Sequence, residues 1–262
     1  MAKLCTLFSG SSGNCTYLSS GKDALLIDAG ESCKQILLAL EERQLDPAQI
    51  RGILITHSHS DHVKGLRVLL KKLHIPVYAT RETLGTLLLE QTFAAGDRYY
   101  DISEPFDLSG AFDIDFFQTS HDCPGSCGYI ITLPDGERLA FCTDLGGMTD
   151  AIREKLRGCK TVVLESNHDV GMLQNGLYPF ATKQRILSDE GHLSNVSCAT
   201  ELPELVKNGT TRIVLAHLSR DNNTPDLARV TAESVLLEHG LQAERDYSLY
   251  IAPKCGGNLL YL

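Results

Sequence analysis

The sequence lacks the features that mark membrane, exported and low-complexity proteins. It has no run of about 18 apolar residues, so no membrane span and no membrane partner are expected. Residues 1–10 are interrupted by polar side chains and do not resemble a signal peptide, which favours a cytoplasmic location. There is no linker, biased segment or helical repeat. One domain spanning residues 1–262 is therefore expected.

Positive charge is scarce, and the cysteines form no metal-binding pattern. Lys and Arg number 24 against 33 Asp and Glu, and the net charge of −9 argues against loose polyanion binding. A nucleic-acid substrate stays open, because metal ions attract phosphate and basic residues can be local. The nine cysteines include no CxxC pair, and no second pair matches the spacing of Cys123 and Cys127. Reduced thiols, mostly in the core, are expected.

The densest group of potential metal ligands is the segment THSHSDH at residues 56–62. An apolar run precedes it and is typical of a buried strand, whereas residues 63–73 have apolar side chains at helical spacing. The ligands are therefore predicted to lie on a loop between a strand and a helix. Such a loop holds a site on rigid elements and leaves it open to solvent.

Imidazole and carboxylate donors without cysteine suit Zn²⁺, Mn²⁺ or Fe²⁺. His57 and His59 are two residues apart on an extended loop, so both can point at one ion. Asp61 and His62 are adjacent, project in different directions, and are better suited to a second ion. The alternative is a polar surface loop that contains histidine and aspartate by chance.

The pattern His-x-His-x-Asp-His after a buried strand resembles the signature of the metallo-β-lactamase superfamily. The resemblance implies an α+β fold, the four-layer αββα sandwich, with further ligands beyond other strands. His121, Asp144 and His217 each follow a strand-like run and take those places. Aspartate at position 144, where the best-known lactamases have cysteine, points away from a lactamase and toward a hydrolase with a bridging carboxylate.

The resemblance implies two ion sites. The first ion is assigned to three histidines and the second to an aspartate and two histidines. The predicted ligands are His57, His59 and His121 for the first, Asp61, His62 and His217 for the second, and Asp144 between them. Asp61 is also expected to orient the nucleophile. Asp28, at a strand end in an Asp-x-Gly sequence, is expected to support the ligand loop.

Other residues are predicted to contact the substrate. Ser11, Ser12 and Asn14 lie in a Gly-Ser turn whose amides could hold an anion, although such turns often only connect strands. The pairing of Glu165 with His192 resembles one found in nuclease members of the superfamily. That resemblance implies a proton relay near the leaving group. A capping or core role is the alternative for His192. His168 is a further candidate for substrate contact.

Local signals also predict several element boundaries and leave one charged surface unassigned. Ser32, Ser194 and Thr224 are predicted to begin helices as N-caps. The basic side chains on the helix after the ligand loop either meet phosphates or form a solvated face. They are Lys64, Arg67, Lys71 and Lys72.

Five segments resemble the YycJ/WalJ-like branch of the superfamily, and the resemblance covers essentially the full length. They are residues 9–14, 56–62, 164–167, 191–195 and 216–219. The chain between Asp144 and His217 is too short for the large inserted cap domain of other nucleic-acid-processing members. The resemblance implies two divalent metal ions, zinc or manganese with iron also suitable, and a metal-bridging hydroxide. It implies phosphodiester hydrolysis on a nucleic-acid substrate, with a DNA exonuclease favoured.

Two other functions stay open. One is a small-molecule hydrolase that acts on a cyclic phosphodiester, a thioester or a lactone. The other is a non-catalytic metal-binding regulator. A groove beside the metals long enough for several nucleotides favours a nuclease, whereas a closed pocket favours a small substrate. The sequence does not predict an oligomeric state.

Overall fold

A computed structural model describes residues 1–262 and contains two seven-stranded sheets. The strands, in chain order, are β1 (Lys3–Phe8), β2 (Cys15–Ser20), β3 (Asp23–Ile27), β4 (Ile50–Leu54), β5 (Val77–Ala79), β6 (Tyr99–Asp101), β7 (Phe106–Leu108), β8 (Phe112–Gln118), β9 (Cys127–Thr132), β10 (Arg138–Cys142), β11 (Thr161–Glu165), β12 (Arg212–Ala216), β13 (Ser248–Ile251) and β14 (Leu260–Tyr261). The first sheet has the order β14-β1-β2-β3-β4-β5-β6, and the second has the order β13-β12-β11-β10-β9-β8-β7.

Nine α-helices and one 3₁₀ turn, Pro47–Gln49, complete the fold. The helices are α1 (Cys33–Glu42), α2 (Ser60–Val63), α3 (Leu66–Leu73), α4 (Arg81–Leu89), α5 (Asp150–Leu156), α6 (Val170–Asn175), α7 (Phe180–Ile186), α8 (Asn195–Lys207) and α9 (Pro225–Glu238). None of them has both the length and the apolar character needed to cross a membrane.

Alternation along the strands divides the apolar side chains among three layers of core. In β3, Leu25 and Ile27 belong to the cluster between the two sheets, which also contains Val163 from β11. Leu26, on the opposite face of β3, packs in an outer cluster with Ile36 of α1. A third cluster lies between the second sheet and helices α5, α8 and α9. Helices thus cover the outer face of each sheet, and the predicted αββα sandwich is confirmed.

Parallel pairing brings the ends of many strands to one edge. Strands β3 to β6 are parallel to one another, as are β10 to β13. Strand β8 runs in the same direction as β10 because both pair antiparallel with β9. Contacts join the two sheets at this edge: the N–H of Cys127 donates to Thr56 O at 3.0 Å, and the N–H of His217 donates to Ser9 Oγ at 2.8 Å. The loops after the strands of both sheets therefore meet.

Two elements differ from the sequence patterns. The predicted helix over residues 63–73 is divided at Gly65, and the preceding short helix α2 contains Asp61 and His62. The two-residue strand β14, which was not predicted from the sequence, pairs with β1. The short helix α2 thus carries two of the candidate ligands, Asp61 and His62.

The segment that follows β3 packs directly against the ligand loop. Ala29 N donates to His62 O, Asn14 N donates to Asp61 O, and Gly30 N donates to Asn14 O, each at 2.8 Å. A Cβ atom added to Gly30 would lie 1.6 Å from the carbonyl oxygen of Asp61. Only glycine therefore fits there without displacing the ligand loop.

We predict that Gly30→Ala lowers the free energy of unfolding by about 1–3 kcal/mol, because the new methyl group overlaps backbone atoms. Gly85→Ala is the matched control, since Gly85 lies within α4 and an added Cβ meets no atom within 4 Å. The control should raise the free energy of unfolding by about 0.5–1 kcal/mol. Urea denaturation of both variants measures this, and equal stability of Gly30→Ala and wild type would contradict the close packing.

Candidate metal centre

Three histidine nitrogens form a first cluster beyond β4 and β8. His59 Nδ1 lies 3.1 Å from His57 Nε2 and 3.3 Å from His121 Nε2. The second nitrogen of His57 faces Thr56 Oγ1 at 3.1 Å, and that of His121 faces the carbonyl of Gly191 at 3.1 Å. Ligand atoms on a tetrahedral ion with bonds of about 2.0–2.1 Å are about 3.3–3.4 Å apart. The spacing of the three nitrogens therefore fits one ion.

A second cluster combines two histidines with a carboxylate. Asp61 Oδ2 lies 3.6 Å from His62 Nε2 and 3.7 Å from His217 Nε2. His62 Nδ1 pairs with Asp28 Oδ2 at 2.8 Å, so Nε2 is the nitrogen directed toward the cluster. His217 Nε2 is buried and has no hydrogen-bond partner. These donors suit a divalent cation.

Asp144 lies between the two clusters. Its Oδ2 is 3.4 Å from His62 Nε2, and its Oδ1 is 4.0 Å from His121 Nε2. The carboxylate is almost fully buried, and Oδ2 has no hydrogen-bond partner. An unpartnered buried carboxylate oxygen is costly unless a cation or proton neutralises it. The position of Asp144 thus fits a carboxylate shared by two ions.

Left-handed backbone conformations direct three of these side chains. Asp28 follows β3 with a φ of 62°, Asp144 follows β10 with a φ of 59°, and His217 follows β12 with a φ of 56°. Such conformations are uncommon for residues other than glycine and cluster at functional sites. Each turns the chain sharply where its strand ends and places the side chain at the shared edge.

Glu165 supports the site from beneath rather than lining it. The fully buried Oε1 accepts hydrogen bonds from His192 Nδ1 and His217 Nδ1, both at 2.8 Å. Oε2 accepts from the amides of Leu145 at 3.0 Å and Leu193 at 3.2 Å. Burial opposes ionisation, but these contacts and the nearby imidazoles hold the pKa of Glu165 well below its usual range. Glu165 is close enough to ligate a cation with Asp144, His192 and His217, yet its oxygens are already engaged.

His57 and His62, one from each cluster, have pKa values that are shifted in opposite directions. Burial and the neighbouring imidazole of His62 lower the pKa of His57 well below its usual range. Burial also disfavours charge on His62, but the carboxylates of Asp144 and Asp28 outweigh it and raise the pKa to about 9. A cation that binds at His62 must displace this proton, so binding is coupled to release of a proton.

The clusters open into a cleft of about 290 Å³. Six residues predicted from the sequence line it: Ser11, His59, Asp61, Asp144, His192 and His217. His192 projects from the segment before α8, and its Nδ1 is fixed by Glu165, so Nε2 is the nitrogen left to face the cleft.

Three residues that line the cleft were not predicted from the sequence. Tyr178, Thr182 and Arg185 reach the cleft from the α6–α7 region, where no motif marks them. Arg185 also pairs with Asp122 at 2.6 Å, and the other oxygen of Asp122 lies 3.4 Å from His121 Nε2. The remaining two polar wall residues belong to segments that carried the family resemblance, so a signal for them existed. They are Asn167 and Ser219.

Three of the predicted substrate contacts do not line the cleft. Asn14 is buried, and its Nδ2 lies 3.0 Å from His62 Nε2 and 3.3 Å from Asp61 Oδ2. It therefore connects the turn at residues 9–14, called the serine turn below, to the ligand loop. His168 is 1% exposed and does not line the cleft. The segment folds inward and pairs with Ser194, and a substrate contact of His168 stays a prediction. Ser12 lines an adjoining pocket instead of the cleft.

The basic helix face also lies away from the cleft. Lys64 is 3.7 Å from Glu31, and Arg67, Lys71 and Lys72 are exposed on α3. None of these four lines the cleft or the pocket beside it. The solvated-face interpretation therefore fits the structure.

The cysteines are all unpaired, and eight of the nine are buried, as expected for core thiols.

Burial lowers the pKa of His168 from 6.5 to about 4, and neither ring nitrogen has a hydrogen-bond partner. The folded state therefore resists a proton that the unfolded state accepts, so this residue's contribution to stability is present above pH 6.5. It is lost as the pH falls toward 4.

We predict that His168→Leu leaves the free energy of unfolding at pH 7 unchanged or higher, since no hydrogen bond is lost. Its advantage over wild type should grow as the pH falls.

Denaturant titration of both proteins in chelator between pH 4 and 7 measures the difference. A loss of about 1 kcal/mol or more in the variant at pH 7 would mean that the ring makes an interaction the structure does not contain. Weaker substrate binding with unchanged stability would support the prediction that His168 contacts the substrate.

Comparison with known proteins agrees with this architecture. Among solved structures, zinc-bound PqqB from Methylobacterium extorquens matches with a TM-score of 0.75 and 17% identity, over 100% of both chains. The metallo-β-lactamase fold protein YhfI from Bacillus subtilis matches with a TM-score of 0.72 and 17% identity, over 99% of this chain and 98% of that one. At this identity the likeness concerns the fold alone.

Two curated relatives are closer in sequence. Exodeoxyribonuclease YycJ from Bacillus anthracis is 36% identical over 93% of this chain and 92% of its own length. Exodeoxyribonuclease WalJ from Streptococcus pneumoniae is 35% identical over 95% of this chain and 93% of its own length. The family model for the beta-lactamase superfamily domain matches residues 24–218. The chain therefore belongs to the metallo-β-lactamase superfamily, in the branch that contains YycJ and WalJ.

Proposed function

We propose that this protein is a metal-dependent phosphodiester hydrolase that removes nucleotides from an end of DNA. The observation that supports this most is the pair of ligand clusters joined by Asp144 at the floor of a cleft with polar walls. Near full-length similarity to two exodeoxyribonucleases favours DNA as the polymer.

We propose two divalent ions per chain. His57, His59 and His121 would hold one and Asp61, His62 and His217 the other, with Asp144 in contact with both. Nitrogen and oxygen donors without cysteine accept zinc or manganese, and iron is also suitable. Bound there, the ions would lower the pKa of coordinated water and stabilise negative charge on phosphate oxygens.

The protein's own groups would orient the nucleophile and protonate the leaving group. Burial opposes ionisation of Asp61, but contacts with His217 and His62 hold its pKa below the usual range, so the carboxylate stays available to accept a hydrogen bond from attacking water. His192 would donate a proton from Nε2 to the leaving oxygen. Glu165 is the positioning residue for this step, because its contact with Nδ1 fixes the ring so that Nε2 faces the cleft.

Cleavage assays on end-labelled polymers test the proposal. Duplex and single-stranded DNA and RNA are incubated with Mn²⁺ or Zn²⁺, and the His59→Ala protein and a chelator serve as controls. Shortening of DNA from one end, absent in both controls, is the expected result. Turnover of a small cyclic phosphodiester, thioester or lactone without cleavage of any polymer would replace the proposal with a small-molecule hydrolase. No turnover with tight metal binding would favour a regulator.

We predict that His192→Gln lowers kcat by about 10²–10⁴-fold, the usual contribution of a positioned acid, while metal content stays equal to that of wild type. His239→Gln is the control, because His239 is exposed at the end of α9. Steady-state kinetics and elemental analysis are measured on the same preparations. Loss of metal in His192→Gln would instead make His192 a ligand.

A further inference from the structure

A second pocket adjoins the metal cleft. It has a volume of about 210 Å³, and Ser11 and Ser219 belong to the walls of both cavities. The serine turn after β1 forms one side, and the segments after β12 and β13 form the others. We call it the serine pocket. A strand of nucleic acid that occupies the cleft can therefore continue into it past the two shared serines.

The serine pocket and the cleft differ in the charged groups that line them. Arg220 and Lys254 line it, both are exposed, and neither side chain makes an ion pair or hydrogen bond within the protein. No aspartate or glutamate lines it, although the protein as a whole has a net charge of −9. The cleft, in contrast, contains the carboxylates of Asp61 and Asp144 together with Arg185. Two unpaired cations without a carboxylate favour an anionic ligand.

The serine pocket also has free hydrogen-bond donors at its rim. Ser11 and Ser12 are exposed at the rim, and neither their hydroxyls nor their backbone N–H groups have a partner in the protein. Asn223 forms part of the buried wall, but its Nδ2 already donates to the carbonyls of Ser166 and Asn167. The free donors are thus on the serine turn, on the side shared with the cleft. Hydroxyl and amide donors beside arginine and lysine are the groups that bind phosphate oxygens.

We propose that the serine pocket binds a phosphate of the substrate strand next to the bond that is cut. This inference rests on the proposed nuclease function and assigns Arg220 and Lys254 to substrate positioning. The phosphate is either the one at the strand terminus or an internal one, since both present the same oxygens. Binding it holds the strand in register, so that the next phosphodiester lies over the two ligand clusters.

Binding is measured first, by fluorescence anisotropy in chelator, so that no cleavage is needed. The probes are single-stranded oligonucleotides with a 5′-phosphate, with a 3′-phosphate or with neither. The proteins are wild type, Arg220→Gln, Lys254→Gln and the double variant. Lys22→Gln is the matched control, because Lys22 is an exposed, unpaired lysine in the turn before β3, at the opposite end of that strand from Asp28.

We predict that the double variant binds about 10–100-fold more weakly than Lys22→Gln, since each charge-assisted contact typically accounts for about tenfold in affinity. The slope of log affinity against log salt concentration should fall by about 1–2 in magnitude. If the pocket takes a terminal phosphate, only the oligonucleotide with that phosphate loses affinity. If it takes an internal one, all three do. Equal affinity and salt slope for the double variant and the control would overturn the proposal.

Turnover separates this inference from the proposed function. The ratio of kcat/KM for DNA to kcat/KM for bis(p-nitrophenyl) phosphate should fall about tenfold or more in the double variant, because only the polymer reaches the serine pocket. An unchanged ratio would overturn the inference while leaving the nuclease function intact. Wild type that cleaves neither substrate would refute the nuclease function, and the binding measurements would still decide whether the pocket holds phosphate.

Discussion

The site depends on one constraint, which is that strands from both sheets end at the same edge of the sandwich. Ligands as far apart in the chain as His57 and His217 meet there because β4 and β12 deliver their loops to the same place. The apolar cluster between the sheets fixes the two ends relative to each other. Hydrogen bonds between the sheets at this edge, such as that from Cys127 N to Thr56 O, add direct connections.

Two buried carboxylates fix the orientation of the histidine side chains at this edge. Asp28 accepts hydrogen bonds from Thr56 N at 2.8 Å and pairs with His62, while Glu165 pairs with His217 and His192. Each therefore fixes the ring nitrogen that does not face the clusters. Carboxylate support of this kind orients imidazole ligands and makes them more basic. The same contacts explain why burial alone does not set the protonation of His62.

The cleft and the serine pocket are lined by different kinds of charged group. The cleft gathers carboxylates and imidazoles whose mutual spacing suits cations, and the serine pocket gathers cations and neutral donors that suit anions. The proposed polyanion, with metal ions bound beneath it, would satisfy both. The proposed phosphate site would place positive charge next to the reacting bond, although the protein as a whole has a net charge of −9.

The sequence was most informative where a strong local signal coincided with the end of a strand. The His-x-His-x-Asp-His segment and the single residues at 121, 144 and 217 lie where their strands end, and Ser32, Ser194 and Thr224 each cap a helix as predicted. Tertiary packing decided the rest. Asn14 and His168 are polar residues in loops, and only the fold shows that both loops turn inward. Tyr178 and Arg185 enter the cleft through the placement of α6 and α7, for which no local pattern exists.

Anomalous X-ray scattering from crystals grown with Mn²⁺, recorded at the manganese edge, tests the central claim most directly. Two peaks are expected in each chain, one among the nitrogens of His57, His59 and His121 and one among Asp61, His62 and His217, with Asp144 in contact with both. A single peak would contradict an arrangement built for two ions. A peak coordinated by Glu165 and His192 would contradict the positioning role of Glu165 and the assignment of His192 as the proton donor.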